Sequence, residues 1–117
     1  NLLGLFGPLL ARVVANEEGY FSHPMLMESA VLALGKFMCV SQTVCVRYLS
    51  LLFTCFNKGH PSLRSTIVVS LGDLAFRFPN ALIPWNSRIF ELLKDEDPSV
   101  RANALLVLTH LILNDIV

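Results

Sequence analysis

Apolar and polar positions along the chain recur in step. A shift of 37 residues carries Pro24 onto Pro61 and Pro61 onto Pro98, and at each shift the apolar residues fall back into register. Leu26, Leu63 and Val100 form one column. Val31, Val68 and Leu105 form the next, then Leu34, Leu71 and Leu108, then Phe37, Leu74 and Leu111. Within each copy these offsets share one face of a helix. A polar pair recurs beside them: Ser29, Thr66 and Asn103, and seven residues later Lys36, Asp73 and His110. Each copy is therefore predicted to be an amphipathic helix with a buried side and a wet side. A unit repeated at this spacing buries its apolar face by stacking on its neighbours.

Taken in order, the pattern predicts six helices. The first runs from Leu2 to Val14, with Leu2, Leu3, Phe6, Leu9, Leu10, Val13 and Val14 on its apolar side and Pro8 as a kink. A polar connection from Asn16 to His23 leads to a second helix opened by Pro24 and reaching Val40. Proline suits a first turn, where its missing N–H has no partner to lose. Ser41 or Thr43 caps a third helix to Asn57, and Gly59 is expected to stop it in the left-handed conformation. Pro61 opens a fourth helix to Phe78. The fifth, within residues 80–94, is interrupted by Pro84 and either starts near Trp85 or kinks there. Pro98 opens the sixth, to Asn114. Short connections make these antiparallel pairs, with repeats at about 1–40, 41–78 and 79–117. The fold class is all-α, a solenoid of three helical hairpins.

Composition adds that the chain is unusually apolar. Hydrophobic residues make up 54% and charged residues 15%, a larger apolar share than most globular domains carry. The surplus fits end faces meant for further repeats, so the chain is expected to be a piece of a longer solenoid. Net charge is zero, but unevenly spread. Between Val31 and Phe90, Lys36, Arg47, Lys58, Arg64, Arg77 and Arg88 face only Asp73; acids are in excess on both sides. A basic middle is a candidate phosphate surface, set against an ordinary solvated one. No signal-peptide pattern and no membrane-length apolar run is present. Three cysteines without framework spacing suit a reducing, intracellular compartment.

Catalytic and metal chemistry find no footing in the pattern. Cys39 aligns with Phe76 and Leu113, Cys45 with Leu82, and Cys55 with Leu92, which assigns all three to core columns. His23, His60 and Asp97 share the pre-proline position of a helix start. No pair has zinc-ligand spacing, and neither a nucleophile elbow nor a phosphate-binding glycine loop occurs. The expectation is a non-enzyme with no metal, no cofactor and no small-molecule substrate. Arg101 is expected to pair with Asp95 or Asp97 in the acidic turn before it, whereas Arg64 has less acid near it in sequence.

The stretch Leu92-Leu93-Lys94-Asp95 followed by Asp97-Pro98-x-Val100-Arg101-x-x-Ala104 resembles the HEAT repeat. His60-Pro61-Ser62-Leu63-Arg64 keeps the arginine, and Met27 replaces it in the first copy. More narrowly, the segments 34–41, 71–80 and 108–115 together resemble the C-terminal HEAT segment of the first non-SMC subunit of condensin. This resemblance implies a scaffold for the kleisin subunit and the SMC ATPases, located in the nucleus and on chromosomes with a cytoplasmic pool. It also implies flanking HEAT repeats as neighbours and chromosomal DNA as a further partner, with no membrane. In a HEAT stack the second helix of each pair lines the concave side, so Ser29, Lys36, Thr66, Asp73, Asn103 and His110 form a candidate ridge for an extended polypeptide. Two other readings stay open. One is a DNA-binding module using the six basic residues of the middle; the other is a HEAT adaptor unrelated to chromosomes.

Overall fold

The structure, a computed structural model, describes residues 2–16 and 23–114. Six α-helices account for most of them: α1 Leu2–Ala15, α2 Pro24–Met38, α3 Gln42–Lys58, α4 Pro61–Arg77, α5 Asn86–Glu91 and α6 Pro98–Leu113. Two 3-10 segments, Pro79–Trp85 and Leu92–Lys94, flank α5. Most of the polar connection expected between α1 and α2 lies outside the described residues.

The starts of α2, α4 and α6 share one construction. A residue before proline is held in extended backbone by clash with the ring, and His23, His60 and Asp97 all adopt it. Extended backbone is also what an N-cap needs. His60 Nδ1 accepts from the Leu63 N–H at 3.3 Å, and Asp97 Oδ1 accepts from the N–H groups of Ser99 (2.9 Å) and Val100 (3.3 Å). At the start of α3 the cap is Ser41, whose Oγ accepts from Val44 N at 3.2 Å.

Helices α2, α4 and α6 lie side by side with α4 in the middle; α1, α3 and the α5 region form a second layer behind them. The body measures 38 × 33 × 17 Å, two helices thick. Its core is continuous through Leu34, Leu49, Leu52, Phe53, Ile67, Leu71, Leu74, Leu82, Ile89 and Leu108. Gly35 sits where α2 meets α4, and a Cβ there would stand 2.8 Å from Ser70 Oγ. This HEAT-like, all-α solenoid agrees with the periodicity.

Several details differ from expectation. Gly59 is not left-handed but extended, at φ −83°, because the chain goes straight into the pre-proline His60. What glycine permits there is closeness: a Cβ would meet Leu63, Arg64 and the Cys55 carbonyl at 3.3–3.4 Å. Of the two alternatives for the fifth helix the structure takes the first: it starts at Asn86 with Trp85 as its N-cap residue, and Pro84 falls in the 3-10 segment before it. Phe53 stacks on Trp85 across that segment, centroids 4.5 Å apart. In α1, Val14 is buried and Leu10 and Val13 pack on the core, while Phe6 and Leu9 are exposed.

The repeat columns are also not uniformly buried. Leu26 and Leu105 are exposed although Leu63, Val100, Val31 and Val68 in their columns are buried. Cys45 and Cys55 are buried like Leu82 and Leu92, but Phe76 and Leu113 are exposed and Cys39 is half-buried. The Cys39–Phe76–Leu113 column is therefore a surface column. It lies at the C-terminal ends of α2, α4 and α6, where the second layer leaves Phe76 and Leu113 exposed among the described residues.

Candidate partner-binding face

Each of α2, α4 and α6 presents an outward strip that starts near its first turn and runs its full length. At the N-terminal end the strips are stitched to one another. Glu28 Oε1 accepts from Ser62 Oγ at 2.9 Å and from Thr66 Oγ1 at 3.2 Å. One repeat on, Ser65 Oγ lies 2.9 Å from Ser99 Oγ and accepts from Asn103 Nδ2 at 3.2 Å. Thr66 and Asn103 thus join neighbouring helices, and Ser29 beside them is exposed.

Toward the C-terminal ends the strips open. Lys36 and Asp73 are exposed, with no side-chain hydrogen bond or ion pair among the described residues. His110 stacks on Phe76, centroids 5.3 Å apart and planes 27° apart, and its Nε2 lies 3.4 Å from Asn114 Nδ2.

Between these polar residues runs an apolar row that the polar columns hid. Leu32, Val69 and Leu106, one repeat apart, are all exposed, and Phe76 and Leu113 form a second row seven residues on. Two adjoining grooves result. One, about 370 Å³, is lined by Leu32, Pro61, Ser62, Ser65, Thr66, Val69, Asp97 and Ser99. The other, about 340 Å³, is lined by Val68, Val69, Gly72, Asp73, Phe76, Asn103, Leu106, Val107 and His110. Val69 lines both, so the face is continuous across α4. The repeat step aligns Leu32, Val69 and Leu106 just as it aligns Cys39, Phe76 and Leu113, but apolarity alone does not tell a surface row from a core one.

The six basic residues are not gathered in the same way. Arg64 grips the turn before α6: its Nε and Nη2 donate to Asp95 Oδ2 and Oδ1, both at 3.1 Å, and its Nη1 donates to the Gly59 carbonyl at 2.9 Å. The acid it needed stood 31 residues downstream, out of reach of a local reading. Among the described residues Arg101 makes no carboxylate pair, with neither Asp95 nor Asp97, and donates instead to the Asp95 carbonyl at 2.7 Å. Arg77 lies over the Phe78 ring; Arg88 donates to Asn57 Oδ1 at 3.1 Å and lies over Phe53. Lys36 belongs to the α2–α4–α6 layer, Arg47 and Lys58 to α3 in the other. The basic set is therefore divided between the two layers.

Among the described residues, Asp95 is the one carboxylate whose proton affinity clearly departs from normal. Burial pushes its pKa up, and the Arg64 hydrogen bond, the Asp97 N–H and the charges of Arg64 and Arg101 more than offset this, holding it below the usual range. The thiols move the other way: burial raises Cys39, Cys55 and Cys45, the last to about 11. No three His, Cys, Asp or Glu side chains converge among the described residues.

Comparison with known proteins places this geometry. Residues 62–117 match the family described as non-SMC mitotic condensation complex subunit 1. The whole chain aligns at 46% identity with condensin complex subunit 1 of Mus musculus; 98% of it aligns at 47% with that of Homo sapiens and at 46% with condensin-1 complex subunit CAP-D2 of Arabidopsis thaliana. In each case the chain spans 8% of the relative's length. The similarity spans the whole chain, which resembles one segment of the much longer condensin complex subunit 1.

Proposed function

We propose that this stretch is a non-catalytic scaffold segment of a condensin subunit, acting in chromosome condensation in the nucleus and on chromosomes. Its α2–α4–α6 face holds an extended polypeptide, in the first place the kleisin subunit and in the second an SMC ATPase. The continuous face around Val69 carries the reading: two adjoining grooves, apolar rows at the helix spacing and polar groups between them. Such a surface suits a chain that offers alternating apolar side chains and backbone hydrogen-bonding groups. A phosphate backbone asks for clustered cations, and here the cations are divided between two layers.

The test uses the full-length subunit against a kleisin fragment and against duplex DNA over a salt series. Asp73→Ala, Phe76→Ala and Leu106→Ala together remove exposed groove residues; Arg47→Ala, Lys58→Ala and Arg77→Ala together remove exposed charge. The groove set is expected to weaken kleisin binding at least about tenfold, the scale of losing an interface hot spot, and to leave DNA binding unchanged. If instead only the basic set matters, and it flattens the salt dependence, the stretch is a DNA-binding surface and the scaffold reading fails.

A further inference from the structure

The exposed side of α4 carries a pair of residues that its neighbours lack. Asp73 and Phe76 stand three residues apart, hence side by side on the helix surface, and both line the groove shared with Leu106 and His110 of α6. One repeat earlier the same two positions hold Lys36 and Cys39, and one repeat later His110 and Leu113. A carboxylate beside an aromatic ring therefore occurs once on the three outward strips.

Neither member of this pair is used up within the chain. Phe76 stacks on His110 with 5.3 Å between centroids, yet it is 77% exposed, so its opposite face is open. Asp73 is exposed, with no ion pair or side-chain hydrogen bond among the described residues. Arg77 follows it at the spacing of a helical ion pair, but the Arg77 guanidinium lies over the Phe78 ring instead, 4.7 Å from its centroid. An unpaired carboxylate next to an open ring face favours a cation, drawn by the carboxylate and by the negative face of the ring together. Arginine meets both demands at once, because its planar guanidinium lies flat on a ring while its N–H groups donate to a carboxylate.

We propose that, given the polypeptide-binding role of the α2–α4–α6 face on which this assignment rests, Asp73 and Phe76 form an arginine subsite, and that one arginine of the bound polypeptide fixes its register there. His110 is a positioning residue that holds the Phe76 ring from its other face. Lys36 makes the register unique. Packed helices lie about 8–10 Å apart, so a slip by one repeat is about three residues of extended chain. Such a slip toward α2 sets the arginine against the Lys36 ammonium instead of a carboxylate.

The test is a set of double-mutant cycles between the full-length subunit and a kleisin fragment, read as dissociation constants. Leu106→Ala is expected to weaken binding through lost apolar contact alone, and so reports the groove itself. Asp73→Asn is expected to weaken binding about tenfold, and Phe76→Leu, which keeps an apolar side chain without the ring, about threefold. Changing the fragment's arginines to glutamine one at a time is expected to find one that costs about tenfold against the unchanged subunit and no more than about threefold against Asp73→Asn. Lysine at that fragment position is expected to recover only part of the loss. Melting temperatures of the Asp73→Asn and Phe76→Leu proteins are expected to stay unchanged, since both side chains are exposed. Binding weakened by Leu106→Ala but not by Asp73→Asn, or an Asp73→Asn loss coupled to no arginine, would overturn the subsite and leave the groove standing. Binding indifferent to all three changes would overturn both. Tighter binding of duplex DNA by Asp73→Asn, with kleisin binding unchanged, would overturn the subsite by assigning the α4–α6 joint to a phosphate backbone.

Discussion

Arg64 holds the second repeat to the third through a fork that few single side chains could replace. Its two bonds to Asp95 and one to the Gly59 carbonyl leave the Arg64 and Asp95 side chains only 13% and 11% exposed. Arg64→Ala leaves Asp95 half-satisfied in that setting and is expected to lose about 2 to 3 kcal/mol of stability in chemical denaturation, the range for charged hydrogen bonds. Arg64→Lys is expected to recover less than half of that loss, because a point charge cannot donate to both oxygens and the carbonyl at once. The same pair sets a pH dependence. Asp95 has a folded pKa below its unfolded value, so its contribution is complete above about pH 4 and disappears as pH falls through the folded value. A denaturation series in acid should show that loss, and Asp95→Asn should remove it. Met27 stands in the Arg64 column and Lys58 in the Asp95 column; the first joint lacks the fork because both partners differ.

At the level of the helix, two glycines in one column call for opposite outcomes. A Cβ on Gly35 would stand 2.8 Å from Ser70 Oγ, on a buried contact between α2 and α4. On Gly72 the nearest atom is Val107 Cγ2 at 3.5 Å, an ordinary contact. Helical glycine replaced by alanine gains roughly 0.5–1 kcal/mol where nothing clashes. Gly72→Ala is therefore expected to raise the melting temperature and Gly35→Ala to lower it. Equal shifts in the two proteins would show that neither helix crossing is as close as the geometry states. The helices themselves were legible because their signals are local: prolines at first turns, caps at the residues before them, apolar positions on one face. Where these signals misled, the neighbouring element decided. Gly59 has the composition of a left-handed stop, but the chain leaves it directly for the pre-proline His60 and stays extended. Pro84 breaks a helix whose apolar pattern continues, and the chain answers with 3-10 geometry around the Phe53–Trp85 stack.

For the whole molecule, the repeat step revealed which residues are equivalent and not which are covered. Coverage depends on what lies on the far side of a helix, so Phe76 and Leu113 read as core when they line a surface, and Leu105 read as core when it is exposed. The polar half of the candidate face was legible for the same reason that its apolar half was not: a polar column in an amphipathic helix already implies solvent, whereas an apolar one implies only some surface to bury. The resulting excess of exposed apolar side chains is concentrated. On α6, Leu105 and Ile112 lie one above the other, and on α1 Leu5 and Leu9 do the same, all more than half exposed. A solenoid with two such ends associates end to end in a head-to-tail contact that does not close. The 117-residue chain alone is therefore expected to show a mass that rises with concentration in sedimentation equilibrium. Leu105→Glu with Ile112→Glu should suppress the rise and leave the melting temperature nearly unchanged, since neither side chain is in the core. A chain that stays monomeric throughout would mean that these residues are tolerated singly, as scattered surface apolar residues are; association that survives the double change would place the contact on α1 or on the groove around Val69.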